Sequence, residues 1–362
     1  MDTDPHLDTR LDAHGPLVLR SADVGWPRLR AQAACGHLTR AGRGVYVQTD
    51  PAAEPWETRR VLHDVRAAEV TVSTAGVLCL ESAVLAHGGR VLTQREQVHV
   101  VVDYNHGGLR SGGRRDVASS LTRRERREFL RDRAVVRHRY PLETGDVVEC
   151  DGRAVTSLEC TIIQCARFLE PDRALVAVDS LFALVLGVGD EPWDRMAEIR
   201  VGEAGLRRRL LDRLAGHPGQ RGVARARAVI AHATALAQSV WETELRRLCL
   251  AHGIEAPEVQ MRVDVDGHRY FVDLGWWRWY KATEVDGEIK YVDGAAAARE
   301  AQRLRQDRVE SRGFEFLRLA VGRMADRAWV LRQLRYFLPA AAQRARPVTA
   351  LLTTAERRRP LE

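Results

Sequence analysis

Asp273, Glu284, Asp286 and Lys290 stand within one short stretch of the chain, residues 259–290. Glu284 and Asp286 are two residues apart, so on an extended segment they share one face while Thr283 and Val285 take the other. Asp273, on the segment before, can project beside them. Carboxylates from adjacent strands commonly hold Mg²⁺ or Mn²⁺, which completes its shell with water and substrate phosphate oxygens. The chemistry expected is metal-assisted hydrolysis of a phosphodiester, with Asp273, Glu284 and Asp286 as catalytic and metal-binding candidates. Glu242 and Asp307, on flanking helices, are carboxylates that could converge on the same point. Of the 56 basic residues only two are lysines, Lys281 and Lys290, and both flank the acidic pair. Lysine can shift its pKa and move a proton where arginine cannot, which makes Lys290 a candidate for orienting the attacking water. An arginine-rich composition in which two lysines fall together by chance explains the same placement.

The elements around these residues are readable from pattern. Val259 to Asp266 alternates apolar with polar, Asp266-Gly267 is a two-residue hairpin signal, and His268 to Leu274 resumes as a second strand. A third strand is expected from Ala282 to Ile289. Ser239 and Glu242 fit a capping box, Ser-x-x-Glu, which would satisfy a helix start without any metal. Asp307 has Arg303 and Arg308 within reach on its own helix, and these offer it a similar structural role.

The ordered motifs Ser239-Val-Trp-Glu242, Pro257-Glu-Val-Gln260, Val272-Asp-Leu274, Glu284-Val-Asp-Gly287, Asp307 and Gly313-Phe-Glu-Phe-Leu-Arg318 resemble an uncharacterised family related to very-short-patch-repair endonucleases. That family is a branch of the PD-(D/E)XK, or restriction-endonuclease-like, nuclease fold. The resemblance covers roughly the last 100 residues. It implies an acidic site of Glu242, Asp273, Glu284 and Asp286. Two positions depart from the pattern: Asp286 stands where Glu-x-Lys would have its lysine, and Lys290 stands where relatives often carry histidine. Either Lys290 takes over the water-orienting role or the site is degenerate.

Residues 1–50 read as a helix followed by a tight basic hairpin, His37 to Val47, the plan of a winged helix-turn-helix. Pro16 to Ala22 is compatible with a short helix and Trp26 to Cys35 with another. Arg28 and Arg30 would lie on a recognition helix, with Arg40 and Arg43 in the wing reaching phosphate. A small helical cap with solvated arginines is the plainer alternative. The run Arg43-Gly-Val-Tyr-Val47 resembles the N-terminal domain of AbiEi-type antitoxins. Further on, His99-Val-Val-Val102 and Thr156-Ser-Leu-Glu159 resemble the same family's C-terminal region, with Cys160 and Gln164 standing where arginine and aspartate are usual. Helices are expected over 58–66, 73–87, 158–168, 207–214 and 224–238, and strands over 97–102 and 134–139. Between those strands, residues 109–139 hold eleven arginines against four acids. Arg123, Arg127 and Arg131 fall along one side of an expected helix with Arg124 nearby. Such a ridge would release counterions from a phosphate backbone, or it is a solvated face braced by Glu125, Glu128 and Asp132.

A net charge of +7 and a pI near 9.4 favour an anionic partner, most simply nucleic acid. No CxxC spacing occurs among the six cysteines, which argues against a structural zinc and for buried free thiols in a reducing cytoplasm. No signal-peptide pattern or long apolar run is present, so no membrane partner is expected.

The expectation is an α+β multidomain protein. Residues 1–50 form a winged helix-turn-helix, and 51–235 an AbiEi-like mixed α/β domain containing the basic segment 109–139. Residues 236–340 form a PD-(D/E)XK-like α/β domain, and 341–362 a flexible tail. Its expected activity is binding of double-stranded DNA and Mg²⁺-dependent endonucleolytic hydrolysis. The alternative is a non-enzymatic DNA-binding regulator or antitoxin of a type IV toxin-antitoxin-like system, with a cognate toxin protein as partner and a degenerate nuclease fold.

Overall fold

The structure is a computed structural model that describes residues 18–20, 24, 29, 32–33, 38–42, 45–48, 55–104, 110–111, 122, 134–286 and 295–361. Among them are ten α-helices and three sheets, a mixed α/β composition. The chain divides into two compact units, Met1–Ala86 with Thr93–Ser157, and His87–Leu92 with Leu158–Glu362. The helices expected in the middle domain beyond Ser157 therefore cluster with the C-terminal sheet.

In the first unit, β1 (Val18–Arg20), β2 (Leu38–Gly42) and β3 (Val45–Gln48) form an antiparallel sheet in the order β1-β3-β2. Within the segment expected as a helix over 16–22, Val18–Arg20 is instead an edge strand, because Val18 pairs with Val47 and Arg20 with Val45. A short apolar run has no period of its own, and the open edge of β3 decides its state. Leu29, Leu38 and Tyr46 form the small core beneath.

Next come α1 (Pro55–Thr74), β4 (Val77–Leu78) and α2 (Leu80–Ala86). The single helix expected over 73–87 is broken here. Ala75 and Leu80 adopt φ of 48° and 51°, and Val77 and Leu78 pair with β5 (Val98–Val101). The rest of this sheet is β6 (Arg110–Ser111), β7 (Ala134–His138), β8 (Val147–Cys150) and β9 (Arg153–Thr156), in the order β6-β7-β5-β4-β9-β8. Its core is Leu78, Val98, Val100 and Val155 against Ala67 and Ala83.

The second unit carries α3 (Leu158–Phe168), α4 (Pro171–Val185), α5 (Met196–Ala215), α6 (Val223–His232) and α7 (Val240–Ala251). The helix expected to run to residue 238 stops at His232. Two buried carboxylates capture the next amides: Asp179 accepts the Thr234 N–H at 2.9 Å and Glu203 the Ala235 N–H at 2.6 Å. A sheet follows, built from β10 (Glu258–Val265), β11 (His268–Trp276), β12 (Lys281–Asp286) and β13 (Glu315–Ala320) in sequence order. The first three strands run antiparallel and β13 is parallel to β12, reached through α8 (Ala295–Glu310). Parallel neighbours need such a crossover. The hairpin at Asp266-Gly267 has the expected form, with Val265 paired to His268 and φ of 47° and 77° in the turn.

After α9 (Arg327–Phe337), the residues expected as a flexible tail are packed instead, ending in α10 (Thr354–Arg358) with a complete capping box from Thr353 and Glu356. The fastener is Arg247 of α7, fully buried, which donates to both oxygens of Glu244 (2.7 and 2.9 Å), both oxygens of Glu356 (3.0 and 2.7 Å) and the Leu351 carbonyl (2.8 Å). An alanine- and arginine-rich composition conceals this, because the anchors are one buried glutamate and a backbone carbonyl. Among the described residues no helix is long and apolar enough to cross a membrane, and Cys79, Cys150, Cys160, Cys165 and Cys249 are free thiols.

Candidate carboxylate site

Helix α7 positions Glu242. Its start is set by Ser239, whose Oγ accepts the Glu242 N–H at 3.1 Å, and Glu242 Oε2 reaches back to accept the Gln238 N–H at 2.9 Å. The helix is held from below by Arg246, which donates to Asp179 Oδ2 at 2.6 Å in a buried ion pair, and by the Arg247 network. Glu242 thus serves as a helix-start acceptor and is also buried. Burial, with the charge of Asp273 added, pushes its carboxyl up to about 7, against the lowering pull of the Gln238 N–H, Ser239 and Arg90. Glu242 and Asp273 are therefore electrostatic neighbours.

Strand register places the other two acids. The β11–β12 ladder runs Trp276–Lys281, Gly275–Ala282 and Leu274–Thr283 and ends there. The next positions along the two strands are Asp273 and Glu284, so the two face each other at the first place beyond the ladder. Asp273 Oδ2 takes the Val285 N–H at 3.4 Å, a side chain standing where a backbone carbonyl would continue the sheet. Glu284 is buried and lies opposite Arg318 in the parallel β12–β13 pair. Its Oε2 is 3.1 Å from Arg318 Nη2, and Oε1 is 3.9 Å from Arg305 Nη2.

Asp273 and Glu284 thus occupy facing positions on β11 and β12, and Glu242 is an electrostatic neighbour of Asp273. Helix α8 meets Glu284 through Arg305, whereas Asp307 is exposed. Lys281 is tied elsewhere, 2.5 Å from Glu315 Oε2 and over the Phe337 ring. Asp286 lies on β12, with its side chain outside the described set, and Lys290 lies outside the described residues. So do Arg28, Arg30, Arg43, Arg123, Arg124, Arg127 and Arg131, while Arg40 is described only as a backbone position of β2.

Two residues of the site escape sequence reasoning. Gln260 sits between the pairs Val259–Leu274 and Met261–Val272, hence opposite Asp273, with φ of 51°. It is buried and donates to Gln238 Oε1 at 3.3 Å. In the sequence it occupies a polar slot of an alternating strand and looks solvent-facing. Arg318 is found only through the β12–β13 register.

The donors are all oxygens, the ligand type that suits a hard cation such as Mg²⁺ or Mn²⁺. Glu284 is ion-paired with Arg318. Among the described residues no group of three or more His, Cys, Asp or Glu side chains is placed to share an ion. A second arrangement with catalytic residue types lies in the first unit. His63 Nε2 is 2.9 Å from Ser82 Oγ and His63 Nδ1 is 3.3 Å from Asp64, but Ser82 and His63 are 0% and 1% exposed and the serine oxygen accepts the His99 N–H. A sealed hydroxyl of this kind has no substrate to attack, so the trio is structural. Comparison with family models, with curated proteins and with solved structures finds no match for this chain.

Proposed function

We propose that the protein is a DNA-binding, Mg²⁺- or Mn²⁺-dependent endonuclease whose C-terminal sheet is of PD-(D/E)XK type and whose first three strands belong to a winged helix-turn-helix. One observation carries the reading: Asp273 and Glu284 face each other where the β11–β12 ladder ends, beside a Glu242 whose acidity Asp273 perturbs. The sheet order supports it, with an antiparallel hairpin, a third strand bearing the acids and a parallel strand returned through a helix. The β1-β3-β2 sheet beside helical Leu29, Gln32 and Ala33 supports the winged helix.

In this reading Asp273 and Glu284 would hold the cation, with Asp286 assisting, Glu242 adding negative charge beside Asp273 and Lys290 orienting water. When bound, the cation acidifies a water and offsets charge on the phosphoryl oxygens. The Val285 N–H orients the Asp273 side chain and the Gln238 N–H that of Glu242, while Arg318 and Arg305 stand beside the Glu284 carboxylate. Supercoiled plasmid incubated with Mg²⁺ or Mn²⁺ should be nicked or linearised by the native protein and spared by Asp273→Ala and Glu284→Ala. Absence of cleavage, or cleavage surviving both changes, defeats the proposal.

A second reading has its own observation. The Arg318–Glu284 ion pair and the capping role of Glu242 are what a scaffold would retain after losing its metal. The protein would then be a DNA-binding regulator of toxin-antitoxin type with a toxin partner, and it should footprint its own promoter with chelator present.

A further inference from the structure

A cavity of about 730 Å³ in the second unit lies apart from the carboxylate site, sharing none of its residues. It is lined by α6, the turn before it and the C-terminal segment, and three arginines reach it: Arg225, Arg227 and Arg357. Among the described residues none of the three forms an ion pair. Arg225 donates to the Arg167 carbonyl, and its Nε is buried without a hydrogen-bond partner. Arg357 is held by neutral carbonyls, those of Leu352 at 3.1 Å and Thr349 at 3.0 Å. Arg227 is exposed. The carboxylate in the wall, Glu170, is engaged by the Thr354 N–H at 2.8 Å and the Thr354 hydroxyl at 2.9 Å. Burial pulls the Arg225 guanidinium below its ordinary pKa, Glu170 opposes this, and Arg357 and Arg221 add to it; three arginines thus face one carboxylate in the cavity wall.

The backbone adds to this. Gly222 precedes α6 with φ of 83°, and a Cβ there would stand 2.2 Å from the Arg167 carbonyl oxygen, so the position admits only glycine. No side chain caps the first turn of α6. A helix start so exposed adds partial positive charge to that of the guanidiniums. Guanidinium forks match the oxygens of phosphate, and the volume is that of a small-molecule site.

We propose that this cavity binds the phosphate group of a small phosphorylated molecule of nucleotide size, through Arg225, Arg227 and Arg357. The same oxygens also occur in a nucleic-acid backbone, and the test separates the two sources. The full chain is titrated calorimetrically, without divalent metal, with adenosine triphosphate, with inorganic pyrophosphate and with a duplex oligonucleotide. Both small probes should bind saturably and compete with each other. Arg225→Gln and Arg227→Gln should each weaken them by about tenfold, the loss of one charge-assisted contact. The unfolding temperature of Arg227→Gln should match that of the native protein, because that side chain is exposed. No saturable binding of either probe at millimolar concentration overturns the proposal, as does binding indifferent to both substitutions. It is also overturned if the substitutions weaken duplex binding and spare the small probes. None of these outcomes depends on plasmid cleavage by the carboxylate site.

Discussion

Replacing Glu242 with glutamine should stabilise the protein at pH 8 while removing a carboxylate from the proposed metal site. The carboxyl rises from 4.5 to about 7 on folding. Between those values the folded chain keeps a proton that the unfolded chain has released. The stability this gives is fully present below 4.5 and is lost as pH rises through about 7. At about 1.4 kcal/mol per pH unit, holding the charged carboxylate at pH 8 costs about 3 kcal/mol, and less than about 1 kcal/mol at pH 5. Glutamine carries no charge and keeps a carbonyl oxygen for the Gln238 N–H, so the helix start survives while the cost disappears. For a unit of this size the gain at pH 8 corresponds to an increase in Tm of roughly 5–10 °C. The assay is thermal unfolding of both proteins at pH 5 and pH 8, with and without Mg²⁺. The variant should gain at pH 8 far more than at pH 5, and Mg²⁺ should raise the Tm of the native protein only. Equal gains at both pH values, or none at pH 8, would refute the argument from burial and Asp273.

Asp273→Asn removes the charge that helps raise Glu242, so the Glu242 carboxyl should titrate below about 7, measurable by carbon-detected NMR. Arg247→Ala leaves Glu356 buried without its cation and Glu244 with Arg327 alone. It should cost about 3–5 kcal/mol in denaturant unfolding and open the segment after Phe337 to limited proteolysis. Arg318→Gln frees Glu284 from its nearest cation, and if that carboxylate is a ligand, Mn²⁺ affinity read by electron paramagnetic resonance should rise several-fold. Unchanged affinity would place Glu284 outside the cation's shell.

Much of the second unit was legible because its signals are local. Alternation from Val259, the Asp266-Gly267 turn and the Ser239 cap depend only on residues a few positions apart, and each appears as expected. The misreadings have a common physical origin in partners distant along the chain. Val18 becomes a strand through Val47, Val77 through Val101, and the helix ending at His232 stops because carboxylates from α4 and α5 bind the next amides. The C-terminal segment is ordered by Arg247, about a hundred residues upstream of Leu351 and Glu356. None of these partners is visible in a window of local pattern.

The site itself divides the same way. Side-chain alternation puts Glu284 and Asp286 on one face, and composition makes them conspicuous; neither says what stands across from them. That is set by register. One row runs from Gln260 on β10 through Asp273 and Glu284 to Arg318 on β13, a buried amide, two acids and a guanidinium in sequence across four strands. A shift of one residue in the β12–β13 pair would put Leu317 or Leu319 opposite Glu284 in place of Arg318. The arginine therefore explains how a carboxylate is tolerated under packed side chains, and it also sets the competition that a cation must win. Arg318 stands 3.1 Å from Glu284 Oε2, beside the oxygen an incoming ion would meet. In the proposed endonuclease the first contact would then fall to Asp273 and Glu242, because the charge of Asp273 already raises the Glu242 carboxyl and a cation would relieve that repulsion.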